Sequence, residues 1–259
     1  MAKVATTALA FAASVAIAVA QSGSPAESLR IHGQVRVEGG GPIAEARVRT
    51  DAIRGPQAMQ FTAVRHLTAL SDPDGRFALI GVTRGLWILE ITASGYLPHV
   101  VVVPIAMMVP PEPQPWETGL ALLPIAAIAP ADLPPDAPER LVLAAAAEAT
   151  TGAPVVAVGH LRRLEGASLH AGSLVAAGDI ALLVRDAARA RRFFDLAAKA
   201  APDWYRPHLG AASAAMLTFD VNTAIKAYGV ARSYSRTPPL TGMLSLAIRD
   251  LQQISGKGR

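Results

Sequence analysis

The apolar residues of this protein alter their spacing once along its length, and that shift limits the folds open to it. From residue 29 to 104 they recur at every second position, in short runs divided by Gly, Pro and Asp. From residue 139 to 255 they recur at spacings of three and four, among Ala, Leu and Arg. A period of two puts one face of a strand into a core, and a period near 3.6 does the same for a helix. Between the two lies a Pro-laden stretch from Pro104 to Pro138, interrupted by a strand-like run at Gly119 to Leu123. The expected fold class is therefore a multidomain β + α protein. A β-sandwich occupies 29–123, a Pro-rich linker 124–138, and a set of α-helical hairpin repeats 139–255.

In the front half Leu29, Ile31, Gly33, Val35 and Val37 share one strand face, and Gly39-Gly40-Gly41-Pro42 turns the backbone toward Ala46 and Val48. Phe61, Ala63, Arg65 and Leu67 alternate more weakly. Phe77 and Leu79, the run around Trp87, and the β-branched Val100 to Val103 complete the strands. Short strands at this spacing with turn signals between them predict a sandwich. The one candidate metal motif here is Ser71-Asp72-Pro73-Asp74-Gly75. A calcium loop needs a longer series of oxygen donors closed by a bidentate Glu. A turn needs only what is present: Asp72 to accept from amides ahead, Pro73 for a fixed φ, and Gly75 for a positive one. Asp72, Asp74 and Gly75 are read as a hairpin corner.

These residues carry a resemblance. Gly33 and Val35, Pro42-Ile43 with Ala46 and Val48, Ser71-Asp72 with Gly75 and Phe77, Gly85 with Trp87, and Gly95-Tyr96 resemble the pattern of the carboxypeptidase regulatory-like domain. The resemblance implies a transthyretin-like (prealbumin-like) β-sandwich used as an accessory module. Two stretches are longer than that pattern. A loop around Ile53-Arg54-Gly55-Pro56 is expected to project, and Ile105, Met107, Met108, Val109 and Trp116 are expected to dock on the helical half or form a binding surface.

The back half reads as helices at 139–150, 155–164, 168–183, 187–201, 204–219, 222–233 and 240–254. Ala190, Phe194 and Ala197 recur as Ala224, Tyr228 and Ala231 at an offset of 34 residues, and Gly178 recurs as Ala212. Small residues let paired helices approach, and the aromatic fills the space between pairs. With Pro202 closing the first unit, this resembles the tetratricopeptide repeat. Departures are Arg236 at the second closing position, Leu174 and His208 at the first aromatic position, and an upstream unit at 137–170 that keeps only Ala144. A generic Ala-rich bundle is the plainer alternative. The resemblance implies a concave docking face across the first helix of each pair, with Arg185, Arg189 and Arg192 as candidate partner contacts. The solvated side of a helix is the competing account of those arginines.

The first twenty residues order a basic residue, Lys3, an apolar run from Val4 to Val19, and Ala18-Val19-Ala20. That order reads as a cleaved export signal at 1–20, with a retained anchor as the alternative and no stable transmembrane segment after cleavage. The expected location is the periplasm or the exterior. There is no Cys, so disulfides and thiolate sites are excluded. The formal charge of +4 becomes +3 without Lys3. Basic and aromatic residues do not interleave, so nucleic acid is not expected as a partner.

No catalytic constellation emerges. His32, His66, His99, His160, His170 and His208 never fall three or four apart, and no nucleophile elbow or phosphate cradle occurs. His32 and His99 are positioned to meet in space but read as ordinary sheet residues. Asp132 and Asp136 lie in the Pro-rich hinge, and Asp203 before Trp204-Tyr205 reads as a helix cap. The expectation is a non-catalytic exported adaptor or scaffold without cofactors, binding a protein or peptide in the cell envelope. The alternatives are a carbohydrate or cell-wall module with Trp87 or Trp116 as platform, or a regulatory subunit of an envelope hydrolase.

Overall fold

A computed structural model describes residues 29–53, 66–82, 85–105 and 116–256. The segment read as a signal, the loop at 54–56, the alternation through Phe61 to Arg65, and Met107, Met108 and Val109 lie outside the described residues. Among the described residues seven strands come first: β1 (Leu29–Val37), β2 (Arg47–Ile53), β3 (Leu67–Leu70), β4 (Arg76–Val82), β5 (Gly85–Thr92), β6 (His99–Ile105) and β7 (Trp116–Leu122). They form two sheets, β4-β1-β7 and β3-β2-β5-β6. All neighbours are antiparallel except β1 and β7, which run parallel with Val35 opposite Leu120. Ile31, Val35, Phe77, Leu79, Val48, Leu89 and Ile91 are buried in the core of this half.

The corner at residues 71–77 is held by Asp72, whose Oδ1 accepts from the amides of Asp74 at 2.9 Å and Arg76 at 2.8 Å. Gly75 sits at φ 75°, and a Cβ there would lie 2.3 Å from the carbonyl oxygen of Val35. Asp74 pairs with Arg76 at 2.9 Å in solvent. Among the described residues no three of His, Cys, Asp and Glu are placed to hold a metal ion.

Seven helices follow: α1 (Glu139–Thr151), α2 (Pro154–Arg163), α3 (Ala171–Leu183), α4 (Ala187–Ala200), α5 (Tyr205–Leu217), α6 (Val221–Tyr234) and α7 (Pro238–Gly256). Consecutive helices pack as pairs, and each pair packs on the next. The fold is thus a β-strand region followed by an α-helical repeat region. The 34-residue offset extends to the backbone. Arg185 and Phe219 both take positive φ, at 64° and 58°. The next residue in each unit, Asp186 or Asp220, caps its helix by accepting from Arg189 N at 3.0 Å or Thr223 N at 3.1 Å. Phe194 is fully buried between α3 and α5, where Gly178 and Gly210 leave it room.

Several boundaries differ from the sequence expectation, each for a local reason. α3 starts at Ala171 because His170 Nδ1 accepts from the amides of Gly172 and Ser173. α5 starts after Trp204, and Asp203 makes no capping bond. α7 begins two residues early, at Pro238, as proline's fixed φ suits a first helical position. The stretch 124–138 is a packed connection. Ile128 is buried in the core, and Arg140 donates to the carbonyls of Leu133 and Pro134 at 2.6 and 2.7 Å. No helix among the described residues is long and apolar enough to cross a membrane.

Candidate functional site

β6 is an edge strand of its sheet, yet every residue in it is buried. Edge strands present unpaired N–H and C=O groups, which are costly when removed from water. In an antiparallel pair alternate residues turn these groups toward the partner strand and away from it. On β6 the outward set includes Val100, Val102 and Pro104. The Val100 amide donates to Asp179 Oδ1 at 3.4 Å, and the Val102 amide donates to Ser213 Oγ at 3.1 Å. The Val102 carbonyl accepts from the Tyr228 hydroxyl. Pro104 has no N–H to satisfy. Asp179 and Ser213 stand 34 residues apart, at equivalent positions of α3 and α5, and the next equivalent is Ala247, which has no acceptor. Two repeats therefore supply two acceptors to two consecutive outward amides.

This arrangement corrects the docking expectation. The inner face of α3 and α5, where the repeat resemblance places a partner groove, is filled by the protein's own strand. β7, an edge of the other sheet, is covered in turn by α7. A Cβ at Gly119 would lie 3.4 Å from Leu240 N and 3.5 Å from Pro239, in ordinary contact with the start of α7.

A buried polar cluster locks the two halves. Asp179 is 1 % exposed, Arg206 2 % and His99 2 %. Arg206 donates to Asp179 Oδ2 at 2.7 Å and to the carbonyl of Ala121 at 2.7 Å, and lies 3.5 Å from Glu38. Glu38 also accepts from Trp204 Nε1 and from the Tyr205 hydroxyl, each at 3.1 Å. His99 Nδ1 lies 3.2 Å from both Asp179 oxygens and 3.0 Å from Arg206. One ring nitrogen cannot donate and accept at once. A neutral ring donating Nδ1–H to Asp179 is compatible with Arg206 donating to the same carboxylate.

Burial works against charge on Arg206, but Asp179, Glu38 and Tyr205 outweigh it and raise its pKa. Burial also raises the hydroxyls of Tyr205 and Tyr228 well above the usual phenol range, for Tyr205 against the opposing pull of Arg206. Burial, followed by Arg206, pushes His99 below its ordinary 6.5, and Asp179 only partly opposes this. The unfolded protein therefore takes up this proton first as pH falls. Stability should be full above about pH 6.5 and fall below it, down to the depressed folded value. Urea unfolding at pH 7.5 and pH 5.5 checks this, with His99→Gln expected to flatten the difference.

The arginines singled out in the sequence are distributed over separate acids. Arg185 bridges to the β half, lying 2.8 Å from Glu90 and 3.2 Å from Asp51. Arg189 is buried, pairing with Glu165 at 3.0 Å and with Asp186. Arg192 is the most exposed of the three, 3.4 Å from Glu165. They do not form one basic surface. Trp87 is buried and cannot offer its face to a sugar. Trp116 opens β7 opposite Ile31, and its side chain lies outside the described ones. His32 is on the other sheet from His99, and the two do not meet.

At the mouth of the interface lies an open cleft of about 890 Å³. Its floor is the outer face of β1 and β7, where Gly119 and Ala121 leave space beside Gln34 and Arg36. Its walls are the turn before α5, with Trp204, and the junction of α6 and α7, from Tyr234 at the end of α6 through Arg236 to Pro239 in the first turn of α7. Tyr234 is stacked on His208 at 5.8 Å. Among the described residues the lining contains no Ser, Cys, His or Lys. Sequence reasoning missed this site because it needs four segments far apart along the backbone.

No protein-family model matches this sequence, and no curated protein matches it. Solved structures give distant likenesses. PcrH from Pseudomonas aeruginosa is 17% identical over 48% of this protein and 95% of its own length, with a TM-score of 0.38. PcrH in complex with the chaperone binding region of PopD is 16% identical over 49% of this protein and 98% of its own length, with a TM-score of 0.39. Catechol 1,2-dioxygenase from Acinetobacter sp. ADP1 is 14% identical over 33% of this protein, with a TM-score of 0.26, and the match spans only 38% of that enzyme.

Proposed function

We propose that this protein is a non-catalytic adaptor that holds a segment of a partner protein in the cleft between its two halves. We assign the halves to a carboxypeptidase regulatory-like sandwich and a tetratricopeptide-like array, acting in the cell envelope. The observation that carries the reading is the cleft itself. Its volume is that of a ligand site, its walls come from both halves, and the buried cluster behind Glu38 fixes them relative to each other before any partner arrives. The inner helical face is already occupied, so docking moves to the cleft. The described lining residues include no imidazole to activate the Thr237 or Tyr234 hydroxyl, which favours binding over chemistry. The basic, apolar and small-residue order of the first twenty residues supports the envelope as location.

Site-specific photocrosslinking in cells tests the reading. A crosslinking side chain at exposed Thr237, on the rim, is expected to give a discrete protein adduct. One at Val230, on the outer surface of α6, is expected to give none. Adducts at 230 without any at 237 would move the docking surface to the outer helices and defeat the cleft.

A further inference from the structure

Resting on that reading, we infer that the segment received by the cleft carries a carboxylate, held by Arg36 and Arg236, beside an apolar residue seated against Trp204. The charges of the lining are unequal in what remains available. Arg36 is fixed on neutral acceptors: its Nε and one terminal nitrogen donate to the Gly40 carbonyl at 3.2 and 3.1 Å, and the other donates to Gln34 Oε1 at 3.2 Å. A guanidinium has five N–H donors, so two remain, on a side chain already oriented and without a counter-charge among the described residues. Arg236 makes no hydrogen bond or ion pair among the described residues.

The lining carboxylates are Glu38 and Asp203. Both oxygens of Glu38 are engaged, by Trp204, Tyr205 and Arg206. Asp203 is exposed and has no such partner among the described residues, so it offsets one of the two guanidiniums and leaves a positive surplus. Trp204 donates its indole N–H to Glu38, which pins the ring. With Val37 and Pro239 it forms an apolar wall. A guanidinium oriented at Arg36 and one at Arg236 that is unpartnered among the described residues, beside such a wall, suit a carboxylate next to an apolar side chain, since a planar fork matches a carboxylate in two-point contact. An internal Asp or Glu and the free carboxy end of a polypeptide present the same group.

The probe is a set of fluorescent, amidated heptapeptide pools, degenerate except for a central Glu, Gln or Lys, with a further central-Gln pool ending in a free carboxylate. Binding to the full-length protein is read by anisotropy. The Glu pool is expected to bind about tenfold or more tightly than the Gln and Lys pools, and to weaken with salt. Arg36→Gln and Arg236→Gln should each abolish that preference, while Asp203→Asn should strengthen it, an opposite sign that misfolding cannot mimic. If the free-carboxylate Gln pool matches the Glu pool, the group is assigned to a polypeptide terminus and the inference stands. If Gln and Glu amides bind equally and Trp204→Ala weakens both, the carboxylate inference falls while the cleft survives. If no pool binds and position 237 gives no adduct, both fall.

Discussion

Replacing Asp179 by Ala is expected to cost about 3–5 kcal/mol of unfolding free energy, among the largest losses any single substitution in this protein should produce. One carboxylate serves three groups: the Arg206 guanidinium, the His99 ring and the outward amide of Val100. Its removal leaves a fully buried cation with only the more distant Glu38, and an edge amide with no acceptor. The cost is that of the stranded charge, not the net worth of the pair, because desolvation already offsets much of the attraction. The same argument makes a second forecast. Replacing Asp179, Arg206 and His99 together by Leu, Met and Phe should recover most of the loss. Urea unfolding of the parent and the two variants at pH 7.5 checks both. A loss under about 1 kcal/mol for Asp179→Ala would mean the cluster is solvated and does not lock the halves.

Phe194→Ala should cost a similar amount, about 3–5 kcal/mol, by a different route. The ring is fully buried and lies against two helices where glycine removes the side chain that would otherwise occupy its place. A Cβ on Gly178 would come 2.6 Å from the ring, and one on Gly210 2.2 Å from it. Neither backbone can close over the gap without moving α3 or α5, and those helices hold the acceptors for β6. Truncation should therefore lower stability and also loosen the strand. Gly210→Ala alone should destabilise by overpacking, about 1–3 kcal/mol. Combining it with Phe194→Leu should be less damaging than the sum of the two, since they share one space. Additive losses would show that the ring and Gly210 are not in contact.

The legible and illegible parts of this molecule divide along physical lines. The trio Ala190, Phe194 and Ala197 and its echo at Ala224, Tyr228 and Ala231 are readable because close helix packing constrains residues four and three apart. The corner at Asp72 and Gly75 is equally local. The docking of one half on the other is not readable in this way. Asp179 and Arg206 each look like a charge on a surface, since nothing nearby in sequence announces a partner 80 or more residues away, such as His99. Yet a signal exists. α3 is apolar almost all round, which marks a helix buried on every side, and Asp179 is its lone charge. That charge aligns with Ser213 in the next repeat, and Pro98 and Pro104 bracket Val100 and Val102 at alternate positions. A strand edge with donors only where the helices have acceptors can be recognised, once the two periods, two and 34, are set side by side.

The same logic explains why the arginine cluster misleads. Arg185, Arg189 and Arg192 are close in sequence, but the positive φ at Arg185 turns it toward Glu90 while the helix carries Arg189 and Arg192 to Glu165. Adjacency along the backbone does not become adjacency of free charge. The cleft draws its two guanidiniums from Arg36 and Arg236, which stand 200 positions apart, and Asp203 offsets only one of them.

All of this hangs on a sheet margin that is sealed by side chains instead of by another strand. Amide hydrogen exchange at Val100 and Val102, followed by NMR on the intact protein, reads that seal directly. Both amides should exchange only through global unfolding, as slowly as Leu89 in the sheet centre, and Ser213→Ala should release Val102 first. Exchange of both within the dead time, at the pace of an open strand edge, would show that the helices do not cover β6 and do not fix the two halves between which the cleft lies.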